Sequence, residues 1–127
     1  MSARQEVNEL LRRWFELTQE EAGAIQSAAW SNVRQIQSAK GALQPTLTAA
    51  VEKWTLENGR GALSGNHPFR AEVNRLLSLE SRNAALLAEQ VRRAKLEKAQ
   101  RAEGLRNLRL LRGSYASKLN SHWQSFS

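Results

Sequence analysis

The chain has 127 residues, of which 41% are hydrophobic and 24% charged, and it contains no cysteine. This length favours one domain, and the lack of cysteine excludes a disulfide framework and thiolate chemistry. The net charge of +7 arises in the second half, because residues 1–64 carry seven basic and seven acidic side chains, whereas residues 65–127 carry twelve and five.

The first predicted element is a helix from about residue 3 to residue 28. Ser2 and Gln5 have the spacing of a capping box at its start. An apolar stripe at helical spacing follows: Val7, Leu10, Leu11, Trp14, Leu17, Thr18, Ala24 and Ile25. A second possible box, Thr18 with Glu21, lies within this stripe, so we predict one unbroken helix.

A second helix is predicted over residues 31–57, with Ser31 as its cap. Its seam alternates steps of three and four residues: Val33, Ile36, Lys40, Leu43, Leu47, Ala50 and Trp54. Pro45 predicts a kink near Gly41 rather than a break, because the seam keeps its phase across the proline. Residues 58–67 are glycine-rich and predict a loop.

The third predicted helix covers residues 68–113, with Pro68 at its first turn and Gly113 just past its end. At full length it would span roughly 65–70 Å. The two shorter helices reach only to about residue 91, so the remainder should overhang. The expected fold is all-α: a single domain (1–127) forming an antiparallel three-helix bundle or coiled-coil hairpin with a long overhanging third helix and a tail at 114–127.

Counting out from the two turns places Lys40, Glu80 and Asn83 near one level of the bundle. A charge on the seam is costly unless it is paired, so we predict that Lys40 and Glu80 approach each other. The alternative is that both long side chains reach outward to water.

The overhanging part carries an apolar stripe that should contact a partner. The predicted partner-binding residues are Leu105, Leu108, Leu111, Tyr115, Leu119 and Trp123. Two alternatives remain open, namely that two chains associate through this stripe or that the stripe curls back on its own chain. The tail could be disordered, folded back, or an amphipathic segment that binds something else.

No catalytic or ligand-binding motif stands out. His67 and His122 each lack a neighbour at metal-ligand spacing, and no glycine-rich phosphate loop precedes a lysine–serine pair. We therefore expect no enzyme, no metal and no cofactor. The first residues lack the apolar run of a signal peptide and no segment has transmembrane length, so we expect a soluble cytoplasmic protein.

Eight basic residues lie between Arg92 and Arg112, against Glu97 and Glu103. They could form a solvated helix face, or they could bind nucleic acid, although this stretch has no aromatic residue for stacking. Another alternative is a structural coiled-coil protein. In that case the chain would form a homodimer through the third helix, whereas otherwise it would be a monomer. The polar seam residues Glu97 and Arg101 argue against a long zipper.

The helical pattern resembles the FlgN-type flagellar export chaperones across residues 7–115. The resemblance rests on these residues: Leu10, Leu11, Leu17, Glu20, Glu21, Ile25, Trp30, Ile36, Lys40, Leu43, Glu80, Asn83, Leu86, Leu87, Asn107, Leu108, Leu111 and Tyr115. The aromatic ending and the strong positive charge are not typical of that family.

The resemblance implies a cytoplasmic protein that binds the C-terminal helical segment of hook–filament junction proteins and delivers them to the type III export gate. It assigns client binding to the C-terminal segment, here Leu105, Leu108, Leu111, Leu119 and Trp123. It assigns a part in docking on the gate to Tyr115.

Overall fold

A computed structural model describes residues 1–59, 61–97 and 104–114. Three long helices, α1 (Ala3–Gln26), α2 (Trp30–Asn58) and α3 (Arg70–Leu96), are followed by helical residues 104–114, here called α4. These described residues contain no strand. The all-α prediction is therefore confirmed for this part of the chain.

The start of α1 is the capping box that the sequence predicts. The backbone N–H of Gln5 donates to Ser2 Oγ at 3.1 Å, and the backbone N–H of Ser2 donates to Gln5 Oε1 at 2.8 Å. Each side chain thus accepts from a backbone donor that has no partner within the helix. The predicted cap at Ser31 is wrong, because α2 begins at Trp30 after Ala29 and has no side-chain cap.

Pro45 lies within α2, which continues unbroken to Asn58. The prediction that the proline does not end this helix is confirmed. The following loop reverses the chain using positive φ angles at Gly59 (93°) and Gly61 (84°), a backbone region that residues with a Cβ adopt at a cost. The loop ends at Phe69, whose fully buried ring meets Trp54 edge-on with 5.0 Å between ring centroids.

The central helix is α1, against which both α2 and α3 pack. It is antiparallel to α2, since Glu6 lies near Lys53 (3.7 Å) and Glu21 lies near Lys40 (2.9 Å). It runs in the same direction as α3, since Trp14 donates to Glu80 at 2.7 Å and Gln90, further along α3, donates to the backbone carbonyl of Ile25 at 3.2 Å.

Two apolar clusters lie at opposite ends of these helices. The first apolar cluster, next to the loop, consists of Ala3, Val7, Leu11, Trp14, Leu47, Ala50, Val51, Trp54, Phe69, Val73 and Leu76. The second apolar cluster, next to the α1–α2 turn, consists of Ala24, Ile25, Val33, Leu87, Val91, Leu108 and Leu111. Ile25, Val33 and Val91, one from each of the three long helices, therefore lie together at this end.

The prediction of one long overhanging third helix is wrong. Helix α3 ends at Leu96, with Glu97 as its cap, and the helical residues 104–114 pack on the second apolar cluster. Leu108 is 3% exposed and Leu111 is 6% exposed. Covering these leucines removes apolar surface from water, which an overhanging helix would leave exposed.

Candidate functional site

Five buried polar residues separate the two apolar clusters. This polar layer consists of Thr18 and Glu21 from α1, Lys40 from α2, and Glu80 and Asn83 from α3. Each lies on the inward seam of its helix, so the fold places them at one level. Buried charges are tolerated where they are paired and hydrogen-bonded, and the layer meets that requirement almost completely.

Lys40 is the centre of the layer. Its Nζ lies 2.7 Å from Glu80 Oε1 and 2.9 Å from Glu21 Oε1, and all three side chains are at most 4% exposed. The predicted approach of Lys40 and Glu80 is therefore confirmed, and the outward-reaching alternative is wrong.

Glu80 and Asn83 connect α3 to α1. Glu80 Oε1 accepts from the indole N–H of Trp14 at 2.7 Å and lies 2.9 Å from the hydroxyl oxygen of Thr18. The side-chain amide of Asn83 donates to the carbonyl of Thr18 at 2.8 Å and to Glu21 Oε1 at 3.0 Å. These bonds hold the three helices in register.

Glu21 is the member of the layer that the sequence analysis missed. The predicted apolar stripe of α1 does not include it, although alternating steps of four and three from Val7 reach Leu11, Trp14, Thr18, Glu21 and Ile25. Applied strictly, that spacing would have placed Glu21 on the inward face opposite Lys40.

A groove of about 580 Å³ leads from the surface to the polar layer. We call it the α2–α4 groove; it is lined by Trp14, Glu21, Arg34, Gln37, Ser38, Lys40, Gly41, Gln44, Asn107, Leu110, Leu111 and Ser114. Two buried polar atoms in its wall, Glu21 Oε2 and Gln37 Nε2, have no hydrogen-bond partner within the described structure. The groove thus offers one acceptor and one donor beside apolar surface.

The predicted partner-binding residues are only partly covered by the described structure. Leu105 is half-buried, and Leu108 and Leu111 are buried against the chain's own helices, so these three do not form an open stripe. The curled-back alternative is the arrangement observed. Tyr115, Leu119 and Trp123 lie outside the described residues. Leu110, between the two buried leucines, is 65% exposed.

The basic residues of α4 face away from the second apolar cluster. Arg106, Arg109 and Arg112 are exposed, as are Arg92 and Arg93 at the end of α3. Arg92 Nη2 lies 2.6 Å from Glu89 Oε1. Its hydrogen bond lowers the pKa of the Glu89 carboxyl and the same contact raises the pKa of Arg92. Lys98 and Arg101 lie outside the described residues.

Within residues 1–59, 61–97 and 104–114, no three histidine, cysteine or acidic side chains are grouped as a metal ion would require. None of the helices described there has the length and apolar character needed to cross a bilayer.

Over the described residues, the protein is therefore all-helical, with a buried polar layer and a mixed polar and apolar groove between α2 and α4. Comparison with family models, curated proteins and solved structures finds no match to this chain.

Proposed function

We propose that the chain is a cytoplasmic binding protein rather than an enzyme, and specifically an export chaperone of the FlgN type. In this role it binds the C-terminal helical segment of hook–filament junction proteins and delivers them to the flagellar type III export gate. We also propose that α1, α2 and α3 form a three-helix bundle, which the ion pairs from Lys40 to both neighbouring helices support.

The observation that carries this proposal is the docking of α4 on the second apolar cluster. Leu108 and Leu111, three residues apart on α4, fill a site made by Ile25, Val33 and Leu87. The apolar face of α4 is therefore covered by the chain itself, and it can contact a client only after α4 separates from the cluster. Helix-in-groove recognition uses the same anchors.

The attachment of α4 is suited to exchange with a client. Eleven residues of α4 are described as helical, and an isolated helix of that length is marginal in water. Its docking therefore depends mainly on the burial of two leucines, each contributing about 1.5–3 kcal/mol. When α4 separates from the cluster, Leu108 and Leu111 become available to a client helix, as the resemblance to the FlgN type implies.

Co-purification with the C-terminal segments of junction proteins tests the proposal. The wild-type chain should retain such a segment, and the double variant Leu108→Asp with Leu111→Asp should lose it. Leu110→Asp is the control, because it makes the same kind of substitution on α4, once instead of twice, at an exposed position. The proposal is wrong if the wild-type chain retains no segment, or if the double variant retains it as well as the wild type does.

Nucleic-acid binding is a second candidate, favoured by the exposed row of Arg106, Arg109 and Arg112 on α4. Neutralising about three phosphates predicts an affinity that falls with the logarithm of salt concentration with a slope of about −3. A duplex-DNA titration at two salt concentrations measures this slope, and replacing the three arginines with glutamine should abolish binding. Affinity that is independent of salt would exclude this candidate.

A further inference from the structure

The α2–α4 groove contains a buried carboxylate that is only half satisfied. Glu21 Oε1 accepts from Lys40 at 2.9 Å and from Asn83 at 3.0 Å, whereas Glu21 Oε2 has no partner within the described structure. The Glu21 side chain is fully buried. A buried acceptor without a donor is costly, so the site favours any ligand that brings an N–H or O–H to this oxygen.

A second unpartnered atom belongs to another residue of the groove. The amide nitrogen Nε2 of Gln37 is buried without a partner, and Gln37 lines the groove together with Glu21. A ligand that satisfies both residues must donate to a carboxylate and accept from an amide. A carboxamide does both with one planar group, since its N–H donates and its carbonyl oxygen accepts.

A neutral ligand suits the groove better than an ion. The lining charges of Arg34, Lys40 and Glu21 are of both signs, and a charged ligand would have to be removed from water to enter. Trp14, Leu110 and Leu111 supply apolar wall for the aliphatic part that adjoins the polar group. The volume of about 580 Å³ lies within the roughly 300–1,000 Å³ usual for ligand pockets.

We infer that the α2–α4 groove is a binding site for a carboxamide, such as the side chain of a glutamine or asparagine in a partner peptide. The ligand N–H donates to Glu21 Oε2, and the ligand carbonyl accepts from Gln37 Nε2. This inference goes beyond the proposed function, because it concerns the ligand chemistry of the groove and applies to a free amide as well as to a peptide.

A series of small molecules of similar shape tests the ligand chemistry. Butyramide, butyrate and butylamine are titrated into the full-length ¹⁵N-labelled chain, and the side-chain amide of Gln37 and the indole N–H of Trp14 report binding by NMR. Butyramide should shift both signals saturably and bind about tenfold more tightly than the two charged molecules, the difference expected for an additional satisfied hydrogen bond. If butyramide causes no saturable shift, or binds no better than the two charged molecules, the groove has no preference for a carboxamide and the inference is wrong.

Two glycine variants locate the site without disturbing the polar layer. A Cβ built on Gly41, which lines the groove, meets no atom within 4 Å, and the same holds for Gly23, which does not line it. Gly41→Leu should therefore leave the fold intact, obstruct the groove and weaken butyramide binding at least about tenfold. Gly23→Leu is the matched control and should bind like the wild type. Equal binding by the two variants would place the ligand elsewhere and overturn the inference.

A second binding experiment, with peptides, shows whether the ligand is the side chain of a protein segment or a free small amide. The probe is a blocked twelve-residue helical peptide with one glutamine, compared with its Gln→Glu and Gln→Leu versions. Tighter binding of the glutamine peptide than of butyramide, lost in both versions, identifies a protein segment as the ligand. Binding of butyramide without preference among the peptides identifies a free small amide. Binding of neither probe overturns the site, whereas failure to retain junction proteins overturns only the export role.

Discussion

Lys40 Nζ on α2 lies 2.7 Å from Glu80 Oε1 on α3, and both side chains are at most 4% exposed. The pair is surrounded by further bonds, since Lys40 also contacts Glu21 and Glu80 also accepts from Trp14. Removing one member of such a network leaves a buried charge without its partner. The free-energy cost of that charge exceeds the net stabilisation that the intact pair provides.

Replacing the lysine alone should therefore destabilise the fold strongly. Lys40→Met leaves Glu21 and Glu80 buried without their cation and should lower the free energy of unfolding by about 3–5 kcal/mol. Adding Glu21→Gln and Glu80→Gln should restore more than half of this loss, because no buried charge remains. Urea denaturation measures both effects. A loss below about 1 kcal/mol in the single variant would show that the pair is not buried in solution.

Because α4 docks through one face, alanine substitutions of Leu108 and Leu110 should differ in their effect on the free energy of unfolding. Leu108→Ala opens a cavity in the second apolar cluster at a cost of about 2–5 kcal/mol, whereas Leu110→Ala at an exposed position should change stability by less than about 0.5 kcal/mol. The amide protons of residues 104–114 should exchange at least about tenfold faster in the first variant than in the wild type. Equal exchange in both alanine variants would mean that α4 does not dock in solution.

Three glycines should respond differently to alanine. Gly41 and Gly23 lie inside helices with open space at the position of a Cβ, so alanine at either position should stabilise the chain by about 0.5–1 kcal/mol. Gly59 has a φ of 93°, where a Cβ is strained, so Gly59→Ala should destabilise. Thermal denaturation compares the three variants. Stabilisation by Gly59→Ala would contradict the geometry of the loop.

His67 predicts a loss of stability in mild acid. Burial, and secondarily the charge of Arg70, lowers the pKa of the imidazole below its ordinary value of 6.5, and Nδ1 accepts from the backbone N–H of Phe69 at 3.2 Å. The unfolded chain therefore binds this proton more readily than the folded one. The stabilising contribution is complete above about pH 6.5 and falls as the pH decreases through that value toward the folded-state pKa.

The measurement for His67 is the free energy of unfolding between about pH 7.5 and pH 5.5. The wild type should lose stability over this range, and His67→Gln should lose less. His122→Gln, measured in the same way, shows whether the second histidine contributes to the change. If His67→Gln follows the wild-type curve, another group is responsible for the pH dependence.

Much of the polar layer could be predicted because the seam spacing determines which residues meet. Lys40, Glu80 and Asn83 were placed at one level by counting from the turns, and the structure brings all three together. Glu21 follows the same rule, but the sequence suggests for it only a possible capping box with Thr18 and not a place in the layer. Its inward position depends on a partner from another helix, which the periodicity of α1 alone does not contain.

The end of α3 at Leu96 could not be found in the same way. No proline interrupts the predicted third helix, and its only interior glycine, Gly104, comes eight residues after that end. Local propensity favours continuation there, whereas the return of α4 is driven by the burial of Leu108 and Leu111 against residues more than fifteen positions earlier in the chain. Such a tertiary gain leaves no signature near the point where the helix stops.

The position of the polar layer between two apolar clusters also restricts how the helices can assemble. Sliding α3 by one seven-residue repeat along α1 would move Glu80 to the level of leucines and leave Lys40 opposite an aliphatic neighbour. Such a misaligned species would bury Glu80 away from Lys40, although Lys40 would keep its contact with Glu21 and the hydrophobic pattern would still match. The polar layer therefore favours one register of the helices, and folding intermediates with shifted helices should be too unstable to accumulate.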